Sequence, residues 1–217
     1  MAANDGKTGN LWLARTLWDL GGVRFGAFTL GRTTVHSPVY VNPRRLISRP
    51  NALRRAARVI EEEVRTLQSM RNPQVEPFDL VAGIPFGGLH LSTAFSLRTS
   101  VPMVYLHPKP GQSETATVEG VYQPGQRVLV IDDLVNRGGS ILDFGSTLRE
   151  AGLYVTDVVA LVDRQIGARE RLRDHGYHLV CILGLEPLLN YLMSIGKIEE
   201  RLYRKSLDYL AASRPAR

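Results

Sequence analysis

Five short runs constrain the fold more than any other feature of the chain. They are FDLVAGI (Phe78–Ile84), PMVYL (Pro102–Leu106), RVLVI (Arg127–Ile131), VVALV (Val158–Val162) and HLVCILG (His178–Gly184), each near-continuously apolar. A strand with one wet face alternates apolar and polar residues, so runs without alternation predict strands covered on both faces. Helical segments fall between several of them, at Leu89–Leu97, Ile141–Ala151 and Ala168–His175. Strand, helix, strand in this rhythm predicts an α/β fold with a mostly parallel sheet and right-handed crossovers.

The flanking regions read less regularly. Leu11–Leu20 predicts a short helix ended by Gly21-Gly22, and two short strands are expected around Ala27–Leu30 and Val39–Val41. From Pro50 a longer helix is predicted, because Leu53, Ala57, Ile60, Val64 and Leu67 recur at helical spacing and proline suits a first turn. Two helices split at Gly196 are expected from Pro187 onward, and the stretch His107–Pro124 carries no regular signal. With 217 residues, 44% of them hydrophobic, the chain suits a single domain, residues 1–50 forming a small hood and 51–217 the α/β core with the C-terminal helices.

No apolar stretch approaches the ~18 residues that span a bilayer, and the N-terminal segment lacks the layout of a signal peptide. The single cysteine, Cys181, excludes an internal disulfide and a cysteine-built zinc site. A cytoplasmic location follows as the expectation. The net charge of +6 is spread along the chain rather than massed in one segment, which argues against a nucleic-acid partner and leaves room for a small polyanion.

Chemistry concentrates in VLVIDDLVNRGGSIL, Val128 to Leu142. Ser140 and Asp143 have capping-box spacing, which predicts a helix starting at Ser140 and makes Leu134–Gly139 a strand-to-helix turn. The free amides of a helix N-terminus, with the helix dipole, bind phosphate. Gly138 and Gly139 allow close approach of a ligand. Asp132 and Asp133 repel phosphate and suit the vicinal hydroxyls of a ribose joined to it. The implied ligand is a ribose 5-phosphate unit. Taken singly, an Asp-Asp pair is often a turn and Gly-Gly is common punctuation; the combination is what points to a site.

VLVIDDLVNRGGS resembles the phosphoribosyl-diphosphate (PRPP) signature of type I phosphoribosyltransferases. FGAFTL, SPVYVNPRRLISRP, VAGIPFGGLHLSTAFSL, VPMVY, VEG and LVDRQIGARERL extend the likeness to orotate phosphoribosyltransferases over most of residues 20–185. The resemblance implies a phosphoribosyltransferase core and transfer from PRPP to orotate, giving orotidine 5′-monophosphate and diphosphate in pyrimidine biosynthesis. Magnesium is expected on PRPP rather than on protein ligands. It also implies that Asp132 and Asp133 hold the ribose hydroxyls and that Val135, Asn136, Arg137, Gly138, Gly139 and Ser140 cup the 5′-phosphate. Pro85, Phe86, Gly87 and Gly88 would face the diphosphate, and Arg164 would meet the orotate carboxylate. A homodimer is implied, because the family's mobile loop serves the neighbouring site.

Three departures stand against that pattern. The family's cation-rich loop corresponds to Leu106–Glu114, where His107 and Lys109 are the basic residues expected to act and Glu114 adds negative charge. The segment Phe28–His36 is one residue longer than the family's and lacks its lysine; Phe28 and Arg32 are the expected base-side residues there. Asn136 and Arg137 stand where small hydroxyl residues are usual. Two alternatives therefore accompany the orotate reading: a phosphoribosyltransferase for another base, or a catalytically weak PRPP- or nucleotide-binding regulator.

Overall fold

The computed structural model describes residues 10–30, 34–108 and 116–214. A six-stranded sheet forms the centre, in the order β5-β4-β3-β6-β7-β8. Its members are β3 (Leu80–Gly83), β4 (Met103–Pro108), β5 (Ala116–Glu119), β6 (Val128–Val135), β7 (Asp157–Asp163) and β8 (His178–Gly184). All neighbours are parallel except β5, which runs antiparallel to β4 at the edge. A separate antiparallel pair, β1 (Val23–Leu30) and β2 (Thr34–Val41), makes up the two-stranded N-terminal sheet.

Helices cover both faces, as the apolar runs require. On one face Leu129, Ile131, Val159 and Leu161 pack with residues of α1 (Leu11–Asp19), α2 (Pro50–Gln68), α3 (Gly87–Thr99), α6 (Leu185–Ser194) and α7 (Glu200–Ser213). Val23, Val39 and Val41 of the two-stranded sheet belong to the same cluster. On the other face Val128, Val130, Val158 and Ala160 pack with α4 (Gly139–Glu150) and α5 (Ala168–Asp174) through Ile141, Phe144, Leu148 and Leu172. Each such large apolar side chain contributes about 1.5–3 kcal/mol by leaving water. In α2 the apolar stripe is Ala52, Ala56, Ala57, Ile60, Val64 and Leu67, and its one buried acid, Glu61, is paired with Arg65 and Arg98.

Topology locates the crevice. From β3 the chain moves outward to β4, then returns to β6 and continues the opposite way. The connections after β3 and β6 therefore leave to opposite faces, α3 on one and α4 on the other. Between such strands, at their carboxyl ends, the loops part and a ligand fits.

Four expectations need correction. Strand β5 lies in the stretch without regular signals; its four residues pair along one side only, and Glu119 is exposed. Strand β6 runs to Val135 rather than Ile131, so the two aspartates sit within a paired strand, with Asp132 opposite Ala160. Helix α4 starts at Gly139 with Gly138 as N-cap and no side-chain capping bond, so Ser140 does not cap it. Strands β1 and β2 are eight residues each, longer than the predicted segments, because they pair with each other from Val23–Val41 to Leu30–Thr34.

Candidate active site

Asp132 is buried, and its Oδ1 accepts a hydrogen bond from the Asp133 backbone N–H at 2.8 Å. Burial, reinforced by the neighbouring Asp133 charge, pushes the Asp132 carboxyl well above its ordinary range. Asp133 is also raised by desolvation, while Asp132 and the Arg44 guanidinium pull it back. Two desolvated carboxylates with few internal donors are costly to a folded chain and suit a ligand that brings hydroxyl donors or a cation.

The turn after β3 is built to approach them. A Cβ on Gly87 would lie 2.1 Å from Asp133 Cγ, and one on Gly88 would lie 2.3 Å from the Ile131 carbonyl oxygen. Only glycine lets the start of α3 press against β6 so closely. Pro85 and Phe86 ahead of them are exposed, and the peptide joining them is cis.

After β6, Asn136–Gly138 turn the chain into α4. Gly138 has φ 75°, and a Cβ there would also meet Leu172 at 2.9 Å. The first intrahelical bond in α4 is from Leu142 N–H to the Gly138 carbonyl at 3.1 Å. The amides of Gly139, Ser140 and Ile141 thus have no intrahelical partner, the usual condition of a helix N-terminus. The Asn136 Oδ1 atom is buried without a hydrogen-bond partner among the described residues. The Arg137 guanidinium is tied to the C-terminal helix: its Nη2 donates to the Ser213 carbonyl at the end of α7, at 3.2 Å. The third sequence departure therefore ties the loop to the C-terminal helix.

Arg164 is the largest fully buried side chain, at 0% exposure. Its backbone N–H donates to the Val135 carbonyl at 3.0 Å, which sets it beside the end of β6. Its Nη2 donates to Ser37 Oγ on β2 at 2.7 Å, and Ser37 Oγ in turn donates to the Val39 carbonyl at 2.8 Å. Among the described residues Nε and Nη1 have no hydrogen-bond partner. Desolvation lowers its pKa from the usual arginine value. A guanidinium held this way matches a planar carboxylate.

A cavity of about 790 Å³ joins the acid pair, the turn into α4 and Arg164, while Pro85, Phe86, Gly87 and Gly88 are not among its lining residues. It is lined by both aspartates, the whole of Leu134–Ile141, Arg164, and Thr29, Tyr40, Asn42 and Arg44 from the N-terminal region. A smaller hollow of about 320 Å³ around Phe78 and Phe95 shares no lining residue with it. Among the expected site residues, Asp132, Asp133, the phosphate-loop residues and Arg164 converge on the larger cavity. Phe28 instead packs against Tyr40, with ring centroids 5.4 Å apart and the planes tilted by 32°, and is not among the lining residues. His107 is exposed on β4, paired with Thr117 of β5, and does not line the cavity. Lys109, Glu114 and Arg32 lie outside the described residues.

Sequence reasoning missed Tyr40, Asn42, Arg44 and Arg171 as cavity residues. The first three sit in SPVYVNPRR, a stretch quoted for its resemblance, and the consecutive arginines were its available signal. Among the described residues no group of three or more His, Cys, Asp or Glu side chains is arranged to hold a metal. The two carboxylates, hard oxygen donors facing a cavity, fit magnesium if a ligand completes the shell with its own oxygens. No helix among the described residues is long and apolar enough to cross a membrane.

No family model matches the chain. An orotate phosphoribosyltransferase of Chlamydia caviae is 33% identical over 189 residues, covering 85% of this chain and 86% of the relative. Uridine 5′-monophosphate synthase of Bos taurus is 34% identical over 199 residues, which are 91% of this chain and 39% of that longer protein. The crystal structure of orotate phosphoribosyltransferase from Aeropyrum pernix is similar at a TM-score of 0.71 and 31% identity, covering 86% of this chain and 99% of the other. With its parallel sheet, its carboxylate pair at the switch point and a relative aligned over most of both chains, the chain belongs to the orotate phosphoribosyltransferase family.

Proposed function

We propose that this protein transfers the phosphoribosyl group of PRPP to orotate, forming orotidine 5′-monophosphate and diphosphate in pyrimidine synthesis. The observation that carries the reading is Arg164, a fully buried guanidinium with two nitrogens unpartnered among the described residues, lining the same cavity as the acid pair and the α4 N-terminus. One cavity thus offers a cation for a carboxylate, acceptors for a diol and amides for a phosphate.

In this reading Arg164 holds the orotate carboxylate, and Asp132 and Asp133 accept hydrogen bonds from the ribose hydroxyls. Val135–Ser140 surround the 5′-phosphate, and Pro85–Gly88 face the diphosphate. As the C1–O bond to diphosphate breaks, a bond from orotate N1 forms at the same carbon and the N1 proton passes to the departing diphosphate. No side chain needs to attack. Positive charge that develops on the ribose ring is stabilised by the nearby carboxylates, and alignment of the two reactants supplies much of the rate. Asp132 and Asp133 are the residues that would fit magnesium brought in with PRPP, and the ion would supply charge to neutralise diphosphate. His107 and Lys109 are the loop residues proposed to assist departure of diphosphate. The chain works as one domain with residues 1–50 as the hood, as a homodimer, in the cytoplasm.

The test is loss of orotate absorbance with PRPP and magnesium, in the wild type and in an Asp132→Asn, Asp133→Asn double variant. Turnover that collapses in the double variant is the expected result. PRPP binding without orotate consumption would overturn the choice of base, and absence of PRPP binding would overturn the reading as a whole.

A further inference from the structure

The phosphate cup has one arginine in its own sequence, Arg137, and that side chain is committed to the Ser213 carbonyl. A second arginine arrives from a different element. Arg171, on α5, lines the cavity, and its Nη1 donates to the Arg137 backbone carbonyl at 3.4 Å. The same Nη1 lies 3.9 Å from where a Cβ on Gly139 would sit, over the first residue of α4. The seat of α5 is fixed by the neighbouring Leu172, fully buried and pressed against Gly138. Arg169 and Arg173 of the same helix point elsewhere, the first to the Leu179 carbonyl and the second to Asp174. Among the described residues Arg171 has no carboxylate within ion-pair distance.

We infer that Arg171 is the phosphate-binding cation of this site, a role absent from the loop's own sequence. This rests on the reading of Val135–Ser140 as the 5′-phosphate cup. A phosphate dianion at the α4 N-terminus meets three free amides and the helix dipole, but no hydroxyl at the positions held by Asn136 and Arg137. A guanidinium on the rim restores a charge-assisted, bidentate partner. It also balances the two carboxylates that face the same space.

The test uses ribose 5-phosphate and ribose as probes, titrated calorimetrically into the full chain. Arg171→Gln should weaken ribose 5-phosphate at least tenfold, about 1.4 kcal/mol, and leave ribose unchanged. Arg171→Lys should recover part of the loss, since it keeps the charge without the fork. Arg173→Gln, the same charge change on the same helix, should have no effect. The difference between wild type and Arg171→Gln should shrink as salt rises. An Arg171→Gln variant with wild-type melting temperature and unchanged ribose 5-phosphate affinity overturns the inference, as does a wild type that does not bind ribose 5-phosphate. Orotate turnover is measured separately. If it fails while the Arg171 dependence holds, the base is wrong and the cation is right; if turnover succeeds without that dependence, the reverse is true.

Discussion

Replacing Asp132 by asparagine should stabilise the unliganded protein while it abolishes activity. The asparagine Oδ1 can accept the same Asp133 N–H, so the 2.8 Å bond is kept and only the charge is removed. That charge is desolvated and adjacent to a second carboxylate. Like charges ~4 Å apart at an effective dielectric of ~20 repel by about 4 kcal/mol, and backbone donors from Asp133 and Leu134 offset part of this. A net gain of about 2 kcal/mol at pH 7.5 is expected, or about 4–8 °C in melting temperature for a chain of this size. The sign follows from proton linkage. Because the folded carboxyl is raised, the folded state binds more protons than the unfolded state above the ordinary carboxylate pKa of about 3.9. Wild-type stability therefore falls as pH rises through that window, and a chain without the group escapes the fall. Differential scanning calorimetry of both proteins at pH 4 and pH 7.5 should show a gap at the higher pH that closes at the lower. A variant that melts below wild type at pH 7.5, or a gap independent of pH, refutes the reasoning.

Arg164→Leu removes a buried cation that has no carboxylate partner among the described residues, so the urea midpoint of the unliganded protein should hold or rise while orotate turnover disappears. Gly87→Ala places a methyl 2.1 Å from Asp133 Cγ and should reduce turnover at least about a hundredfold by displacing that acid, measured as initial rate under saturating PRPP. Gly138→Ala combines a left-handed backbone with a 2.9 Å clash on Leu172; it should cost about 1–2 kcal/mol in chemical denaturation and weaken ribose 5-phosphate binding. Arg137→Gln breaks the bond to the Ser213 carbonyl and should lower the melting temperature by about 2–4 °C, equally with and without phosphate in the buffer.

The five parallel strands were legible because a doubly covered strand cannot alternate, and their apolar runs say so directly. Helix α2 was legible from its apolar stripe. The extent of β6 was not: Asp132 and Asp133 end the apolar run, although ladder pairing with β7 continues through Val135. Ser140 and Asp143 matched a capping pattern, but the positive φ available at Gly138 places the helix start one residue earlier. Arg137 could not be read at all, since its partner Ser213 lies 76 residues away. Nor could Arg171 be told from Arg169 and Arg173, because seven residues of helix carry three arginines and only packing decides which one faces the cavity.

The two acids stand on β6, a central strand of the sheet, just past the end of its pairing with β3 and where its pairing with β7 continues. Loops can lengthen, shorten and change composition with little penalty, whereas a central strand tolerates almost no rearrangement. Natural variation or directed evolution that retargets this scaffold will therefore keep the sugar and change the acceptor, working through the hairpin that carries Thr29 and Tyr40 and the turn that carries Asn42 and Arg44. The architecture assigns one half of the reaction to inheritance and leaves the other half open to experiment.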